Sequence, residues 1–108
     1  SYRKEALAIR ERIGESITAD MYNVVGIESY NLQEYQDAAK YFQKALEVQK
    51  ELGMENSLTA SIIHNLGCVY GNLGEKKKGL KYRKEALTIW ERIGDNRITA
   101  DTYNAIGV

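Results

Sequence analysis

The stretch that decides the fold is YRKEALAIRERIG at Tyr2–Gly14, because the chain repeats it twice. It returns as YFQKALEVQKELG at Tyr41–Gly53 and as YRKEALTIWERIG at Tyr82–Gly94, with starts 39 and 41 residues apart. A second family of segments lies between these copies: SITADMYNVVGIESYNL at Ser16–Leu32, SLTASIIHNLGCVYGNL at Ser57–Leu73 and the shorter ITADTYNAIGV at Ile98–Val108. The chain therefore alternates two kinds of segment at a period near 40 residues, which indicates an internal repeat.

Each segment has the periodicity of an amphipathic helix. In the first copy Ala6, Ile9 and Ile13 form an apolar stripe at spacings of three and four residues, with charged residues mostly opposite. The absence of proline and the nine dispersed glycines favour helices separated by glycine-containing turns. Short links of this kind force neighbouring helices to run antiparallel. We call the three similar copies the B helices and the intervening segments the A helices.

Glycine and small polar residues mark the ends of these helices. Gly14, Gly53 and Gly94 follow the last apolar residue of each B helix, where a left-handed C-terminal cap favours a residue without Cβ. Serine or threonine near Ser16 and Ser57 is predicted to cap the A helix that follows.

Small residues also recur inside the A helices. Gly26 and Gly67 share one phase, and Ala19 and Ala60 share another. A glycine within a helix costs up to about 1 kcal/mol relative to alanine, so a repeated one indicates a close helix contact. We expect Ala38 to be the matching small residue of the partner B helix.

Composition excludes several classes of protein. The 108 residues suit one domain, and 44% hydrophobic with 28% charged residues is typical of a globular chain. Fifteen basic and fifteen acidic residues cancel, so no global charge attracts nucleic acid or an anionic membrane. No apolar run approaches the roughly 20 residues of a membrane helix, and no signal-peptide pattern opens the chain. The single cysteine, Cys68, favours a reducing compartment, and we expect a cytoplasmic protein.

Two stretches carry a family resemblance. NLGCVYGNLGEKKKGLKYRKEAL at Asn65–Leu87 is similar to the tetratricopeptide signature of Leu-Gly, a Tyr three residues on, Gly, a small residue and Ala-Leu. The matching positions in VGIESYNLQEYQDAAKYFQKAL, Val25–Leu46, are Tyr35, Ala38, Tyr41, Ala45 and Leu46. The period near 40, longer than the common 34, resembles the subclass found in kinesin light chains and LGN/Pins-type spindle-orientation adaptors.

The chain departs from that pattern at three positions. Ser29 stands where tyrosine is usual, and Lys76 stands where an aromatic residue is usual. Gly79 replaces the usual alanine. We therefore expect the Lys76–Lys81 turn to be looser than its counterpart in the first repeat.

The resemblance implies an all-α fold, a right-handed α-solenoid of antiparallel helical hairpins in one domain over 1–108. Its parts are a half repeat (B helix) at 2–14, repeats at 16–53 and 57–94, and a half repeat (A helix) at 97–108. It also implies a non-enzymatic scaffold that binds an extended or helical peptide in a concave groove lined by the A helices. The groove positions carried over are Asp20, Asn23, Val24, Ile27, Tyr30 and Asn31; Ser61, His64, Asn65, Cys68 and Asn72; and Asp101, Asn104 and Ala105.

Two features of this groove bear on its ligand. Asn23, Asn65 and Asn104 offer amide donors and acceptors that suit a peptide main chain, the alternative being a bond to a neighbouring carbonyl or water. The segments 16–34 and 57–75 contain no lysine or arginine, so they lack the cationic clamp of chaperone-tail-binding relatives. With Asp20, Asp101 and Glu28 present, we expect a neutral or basic segment rather than an acidic C-terminal tail.

The sequence gives little support for a catalytic site or a metal site. His64 is the only histidine, which excludes a multi-histidine zinc site. His64 and Cys68 lie four residues apart on one helix face, and groove lining explains them more simply than a catalytic pair. The glycines form no phosphate-binding loop, and we expect no cofactor.

Two further hypotheses remain open. Lys76, Lys77, Lys78, Lys81, Arg83 and Lys84 are a basic cluster. It is either an anionic contact on the convex side or a solvated face balanced by Glu75 and Glu85, with nucleic acid disfavoured for want of a stacking platform. Tyr2–Asn23 and Tyr82–Asn104 are nearly the same sequence, so one chain's terminal A helix is a candidate to pair head-to-tail with another's first B helix. The competing interpretation is a fragment of a longer repeat array.

Overall fold

The computed structural model describes residues 2–14 and 16–94, and this part of the chain is an all-α solenoid of helical repeats. Its five helices are α1 (Tyr2–Arg12), α2 (Ala19–Asn31), α3 (Tyr35–Glu51), α4 (Ser57–Asn72) and α5 (Lys76–Ile93). The A helices are α2 and α4, and the B helices are α1, α3 and α5. The predicted A helix at 97–108 lies outside the described residues.

The helices pair as two hairpins, α2 with α3 and α4 with α5. Tyr30 and Tyr35 meet edge-on next to the link, whereas Tyr22 at the far end of α2 lies under the Lys44 ammonium. From the first contact to the second, the position moves back along α2 and forward along α3, so the two helices run antiparallel. None of the helices in residues 2–14 and 16–94 combines the length and apolar character needed to cross a membrane.

The start of α2 matches the prediction, whereas the start of α4 differs from it. Thr18, a threonine two residues after Ser16, caps α2, and its hydroxyl accepts a hydrogen bond from the backbone of Met21. Asn56, not Ser57, caps α4, and it forms a reciprocal capping box with Thr59. An amide or a hydroxyl serves this position equally well, so the sequence pattern located each cap only to within two residues.

The predicted glycine caps are confirmed. Gly14, Gly53 and Gly94 have φ of 76°, 65° and 80°, in the left-handed region that ends each B helix. The A helices end in the same way, at Gly74 with φ 87° and at Gln33 with φ 64°. Gln33 is the one residue other than glycine in residues 2–14 and 16–94 with positive φ, and a side chain there strains the backbone.

The main core lies where α4 packs between the B helices α3 and α5. Its most completely buried large side chains are Phe42, Ile62, Leu66 and Val69. Burying a side chain of this size stabilises the fold by roughly 1.5–3 kcal/mol. A smaller cluster of Leu7, Val25 and Tyr41 joins α1 to the first hairpin.

The two hairpins make their closest helix contacts with different residues. In the second, a Cβ on Gly67 would lie 2.7 Å from the carbonyl oxygen of Gly79, and a Cβ on Gly79 would lie 2.7 Å from that of Gly67. In the first, a Cβ on Gly26 would meet the Phe42 ring at 2.5 Å, so the ring rather than Ala38 is its nearest neighbour. Ala38 is nevertheless fully buried.

The expectation of a loose Lys76–Lys81 turn is wrong. These residues form the first part of α5, and Gly79 within them is buried. Because the missing methyl group of Gly79 lets the backbones of α4 and α5 touch, the substitution tightens the hairpin instead of loosening it.

Ion pairs attach α1 to the first hairpin. Lys4 Nζ lies 2.8 Å from both the Glu34 and the Asp37 carboxylates, and Lys44 Nζ lies 2.8 Å from Glu11. The hydrogen bond from Lys4 lowers the pKa of Asp37, and that from Lys44 lowers the pKa of Glu11. These pairs are partly exposed, so each adds at most about 1 kcal/mol.

Candidate functional site: the groove between α2 and α4

The predicted groove residues on the two A helices lie along neighbouring, partly exposed helix surfaces. Ile27 is 40% exposed, and Asp20, Asn31 and Asn72 are also exposed. Half-buried positions are Val24, Tyr30, Ser61, His64, Asn65 and Cys68. Asn23 is buried, with 7% of its surface exposed. Asp101, Asn104 and Ala105 lie outside the described residues.

The centre of the groove is a cleft of about 250 Å³ between α2 and α4. Its lining consists of Ile27, Tyr30, Asn31, Phe42, Asn65 and Cys68. Phe42 comes from α3 and was not predicted, although its contact with Gly26 explains its position beneath the A helices. The cleft therefore combines an aromatic and aliphatic interior with amide groups, the composition expected of a site for small apolar groups.

Two side-chain hydrogen bonds join the A helices across this cleft. Asn65 Nδ2 donates to Asn23 Oδ1 at 3.2 Å, and Asn72 Nδ2 donates to the Tyr30 hydroxyl at 2.9 Å. The residue that matches Asn23 at the 41-residue offset is His64, so Asn23 and Asn65 are neighbours across the helix pair and not equivalent positions. The Asn65 amide thus bonds a neighbouring carbonyl oxygen, that of the Asn23 side chain, which is the alternative stated beside peptide contact.

The Asn23–Asn65 bond leaves part of Asn65 available. The bond uses one donor hydrogen of the Asn65 amide, which is half-buried at the cleft wall. Each asparagine amide has two donors and an acceptor. Asn65 can therefore hold a peptide group in the cleft while its bond to Asn23 fixes its orientation.

His64 and Cys68 adjoin one another on α4. Cys68 Sγ lies 3.6 Å from His64 Nε2, and the His64 ring lies beside Trp90 with 5.7 Å between ring centroids. Burial, and secondarily the charge of Arg83, lower the pKa of His64. Within residues 2–14 and 16–94, no three histidine, cysteine, aspartate or glutamate side chains are grouped closely enough to hold a metal ion.

The groove changes in charge where it reaches α1. A second cleft, of about 210 Å³, is lined by Asp20 and Val24 of α2 and by Arg3 and Arg10 of α1. The Arg10 guanidinium also lies 3.2 Å from Met21 Sδ. The prediction of a slightly acidic groove considered only the charges of the A helices. Two arginines of α1 add positive charge at this end.

Comparison with known proteins places these helices in context. A family model described as "Tetratricopeptide repeat" matches residues 17–78, more than half of the chain. Over 59 residues the chain is 39% identical to the anaphase-promoting complex subunit CDC16 of Saccharomyces cerevisiae. The aligned part is 55% of this chain and 7% of that protein, so the chain spans a small fraction of its relative's length.

Proposed function

Because the chain belongs to the tetratricopeptide repeat family, we propose that it is a non-enzymatic interaction scaffold holding a partner peptide between α2 and α4. The observation that carries this proposal is the cleft over Phe42, which has an apolar interior and an amide, Asn65, in its wall. An apolar side chain of the partner fills the cleft while its main chain bonds the amide. CDC16, the relative, is by name a subunit of a multiprotein complex.

Charge supports a neutral or basic partner segment. The A helices α2 and α4 contain no lysine or arginine, and Glu28 lies half-buried along the groove. Arg10 of α1 lies at the Asp20 end of the groove, whereas Arg3 also lines a cleft with Glu28 and Asn31. The cleft over Phe42 has no lysine or arginine in its lining, so charge complementarity disfavours a carboxylate-rich tail there. We also propose that the repeats belong to the long-repeat subclass and that the protein is cytoplasmic.

A matched pair of substitutions tests the groove. A partner recovered by affinity purification with the intact chain as bait is first measured against the unmodified chain. Ile27→Glu places a charge at the cleft, whereas Ile93→Glu makes the same change at a similarly exposed position, 44% against 40%, at the end of α5. We expect Ile27→Glu to weaken binding by about tenfold or more, since it buries a charge at the contact. Equal binding by both variants would contradict the proposal.

A second candidate function, head-to-tail self-association, is supported by the cleft between α1 and α2. Ala6, Leu7, Met21, Val24 and Val25 give this cleft of about 210 Å³ a mainly apolar lining. The occupant is the A-type segment 98–108 of a second copy, whose sequence closely follows that of 17–27. Such contacts are heterologous and generate rings or open chains.

Light scattering tests this second candidate. The mean mass should rise with concentration, and Ala6→Glu, which puts a carboxylate in the cleft, should return the chain to a monomer. A single monomeric mass at every concentration would exclude self-association and leave the peptide-groove proposal untouched.

A further inference from the structure

A basic surface covers the B-helix side of the second hairpin. It consists of Lys50 of α3 and Lys76, Lys77, Lys78, Lys81 and Lys84 of α5, here called the lysine face, and all six residues are exposed. Within the described part of the chain none of them forms an ion pair, so the balance by Glu75 and Glu85 that the sequence suggested is not made by direct contact.

These lysines do not help α5 to fold. Three of them occupy the first turn of the helix, where the partial positive charge of the aligned peptide dipoles disfavours cations. That turn contains no acidic residue, and the N-cap residue Glu75 makes no side-chain capping bond. The matching turn of α3 instead carries Asp37, paired with Lys4. A requirement for folding alone would not place three cations at this end of α5.

The lysine face borders a cleft. A hollow of about 260 Å³ lies between α3 and α5, and its lining consists of Lys50, Lys78, Lys81, Leu46, Tyr82, Gln43 and Glu85. The three lysines outnumber the one carboxylate, and Leu46 and Tyr82 add apolar surface. This combination suits a ligand that presents carboxylates beside an aliphatic side chain. The stretch from Lys76 to Lys84 spans about 12 Å of helix, the length of about four extended residues.

We propose that the lysine face is a second docking surface, which binds an acidic segment of a protein partner. It lies on the B helices α3 and α5, and Lys76 at its edge shares a cleft with the groove residue Asn72. The two surfaces differ in the charge that they attract. The chain thereby joins an acidic segment on one side to a neutral or basic segment on the other.

Nucleic acid fits this surface less well than an acidic protein segment. Stacking of bases needs an open aromatic face. Tyr70 has Tyr82 stacked on it, with centroids 5.5 Å apart, and carries the Lys78 ammonium 4.2 Å from its ring centroid. Both rings are half-buried, so neither presents an open face to a base.

Fluorescence anisotropy with the full 108-residue chain tests the proposal. The probe is a dye-labelled peptide of repeating Glu-Glu-Leu, compared with a Gln-Gln-Leu peptide, a single-stranded oligonucleotide and vesicles rich in phosphatidylserine. The Lys77→Glu/Lys81→Glu variant reverses two charges of the lysine face. The control, Arg12→Glu/Lys40→Glu, changes net charge by the same amount on α1 and on the side of α3 that approaches Glu11.

We expect the acidic peptide to bind, and its affinity to fall with added salt over roughly 0.05–0.3 M as charges are screened. Lys77→Glu/Lys81→Glu should weaken binding by about tenfold or more, and the control should not. The melting temperature of the lysine variant should hold or rise, because an acidic first turn favours the helix, so unfolding cannot explain the loss. Ile27→Glu in the other groove should leave this binding unchanged, which separates the two proposals.

Three results would overturn the proposal. The first is no binding of the acidic peptide at low salt. The second is an equal loss in the control, which would make net charge the cause. The third is tighter binding of the oligonucleotide or the vesicles than of the peptide, with the same sensitivity to Lys77→Glu/Lys81→Glu.

Discussion

The hairpins α2–α3 and α4–α5 are two versions of one structure, related by an offset of 41 residues. Buried small residues keep their places in both: Ala19 and Ala60, Gly26 and Gly67, and Ala45 and Ala86. The residue that each glycine meets differs, a Phe42 ring in the first hairpin and the Gly79 backbone in the second. The comparison teaches that the repeat requires a close approach at this point but not a particular partner.

The largest expected effect breaks the backbone contact of the second hairpin. Gly67→Ala should lower the free energy of unfolding by about 2–3 kcal/mol, because the new methyl group meets a carbonyl oxygen in the facing helix. Gly71→Ala, one turn later in α4, meets only an arginine nitrogen at 3.5 Å and should be neutral or stabilising by up to about 1 kcal/mol. Urea denaturation of both variants measures the difference, and similar losses in both would contradict the contact.

The A-helix caps should differ next. Asn56→Ala removes a capping box and also a bond from the buried Gln49, whose amide donates to Asn56 at 3.1 Å. We expect a loss of about 2 kcal/mol. Thr18→Ala removes one capping bond and should cost about 1 kcal/mol. Thermal or urea unfolding compares them, and an equal or larger loss for Thr18→Ala would contradict the added contribution of Gln49.

These two contrasts also show what sequence reasoning could reach. The glycine caps and the all-α repeat fold could be predicted from local patterns, because a glycine after the last apolar residue and an apolar stripe are both visible in the sequence of a single helix. Gln49 gave no signal, since its partners Asn56 and Thr59 become neighbours only after the turn is formed. The prediction made from Gly79 was wrong, because the effect of this residue on the hairpin depends on its contact with the facing helix.

The groove was predictable to a similar degree. Residues such as Ile27 and Cys68 were identified from the family pattern, and the structure places both at one cleft. Phe42 and Arg3 were missed, because they reach the groove from B helices that the pattern does not assign to it. The Asn23–Asn65 bond required the registers of two helices, which repeat spacing alone does not fix.

A pH effect should distinguish His64 from Asn23, its counterpart in the first hairpin. Burial lowers the pKa of His64, so when pH falls below the ordinary value of 6.5 the unfolded chain binds a proton before the folded chain does. Stability should therefore fall as the pH drops below about 7, and the fall should be modest because the ring is partly exposed. His64→Asn should flatten this dependence in melting experiments, and an unchanged slope would assign it to other groups.

The smallest expected effect exchanges the ends of the two A helices. Gln33→Gly should stabilise the chain by up to about 1 kcal/mol, because glycine adopts positive φ without strain. Gly74→Gln, the reverse change in the second hairpin, should destabilise it by a comparable amount. Paired denaturation curves check both, and a loss of stability in Gln33→Gly would mean that the glutamine side chain has a favourable contact.

The proposed function is tested most directly by NMR titration. A partner segment recovered with the intact chain is added to the ¹⁵N-labelled protein, and amide shifts are mapped along the chain. The account predicts that the shifts concentrate on α2 and α4, around Ile27, Asn31, Asn65 and Cys68, and disappear in Ile27→Glu but not in Ile93→Glu. Shifts confined to α3 and α5, or equally present in both variants, would contradict binding in the A-helix groove.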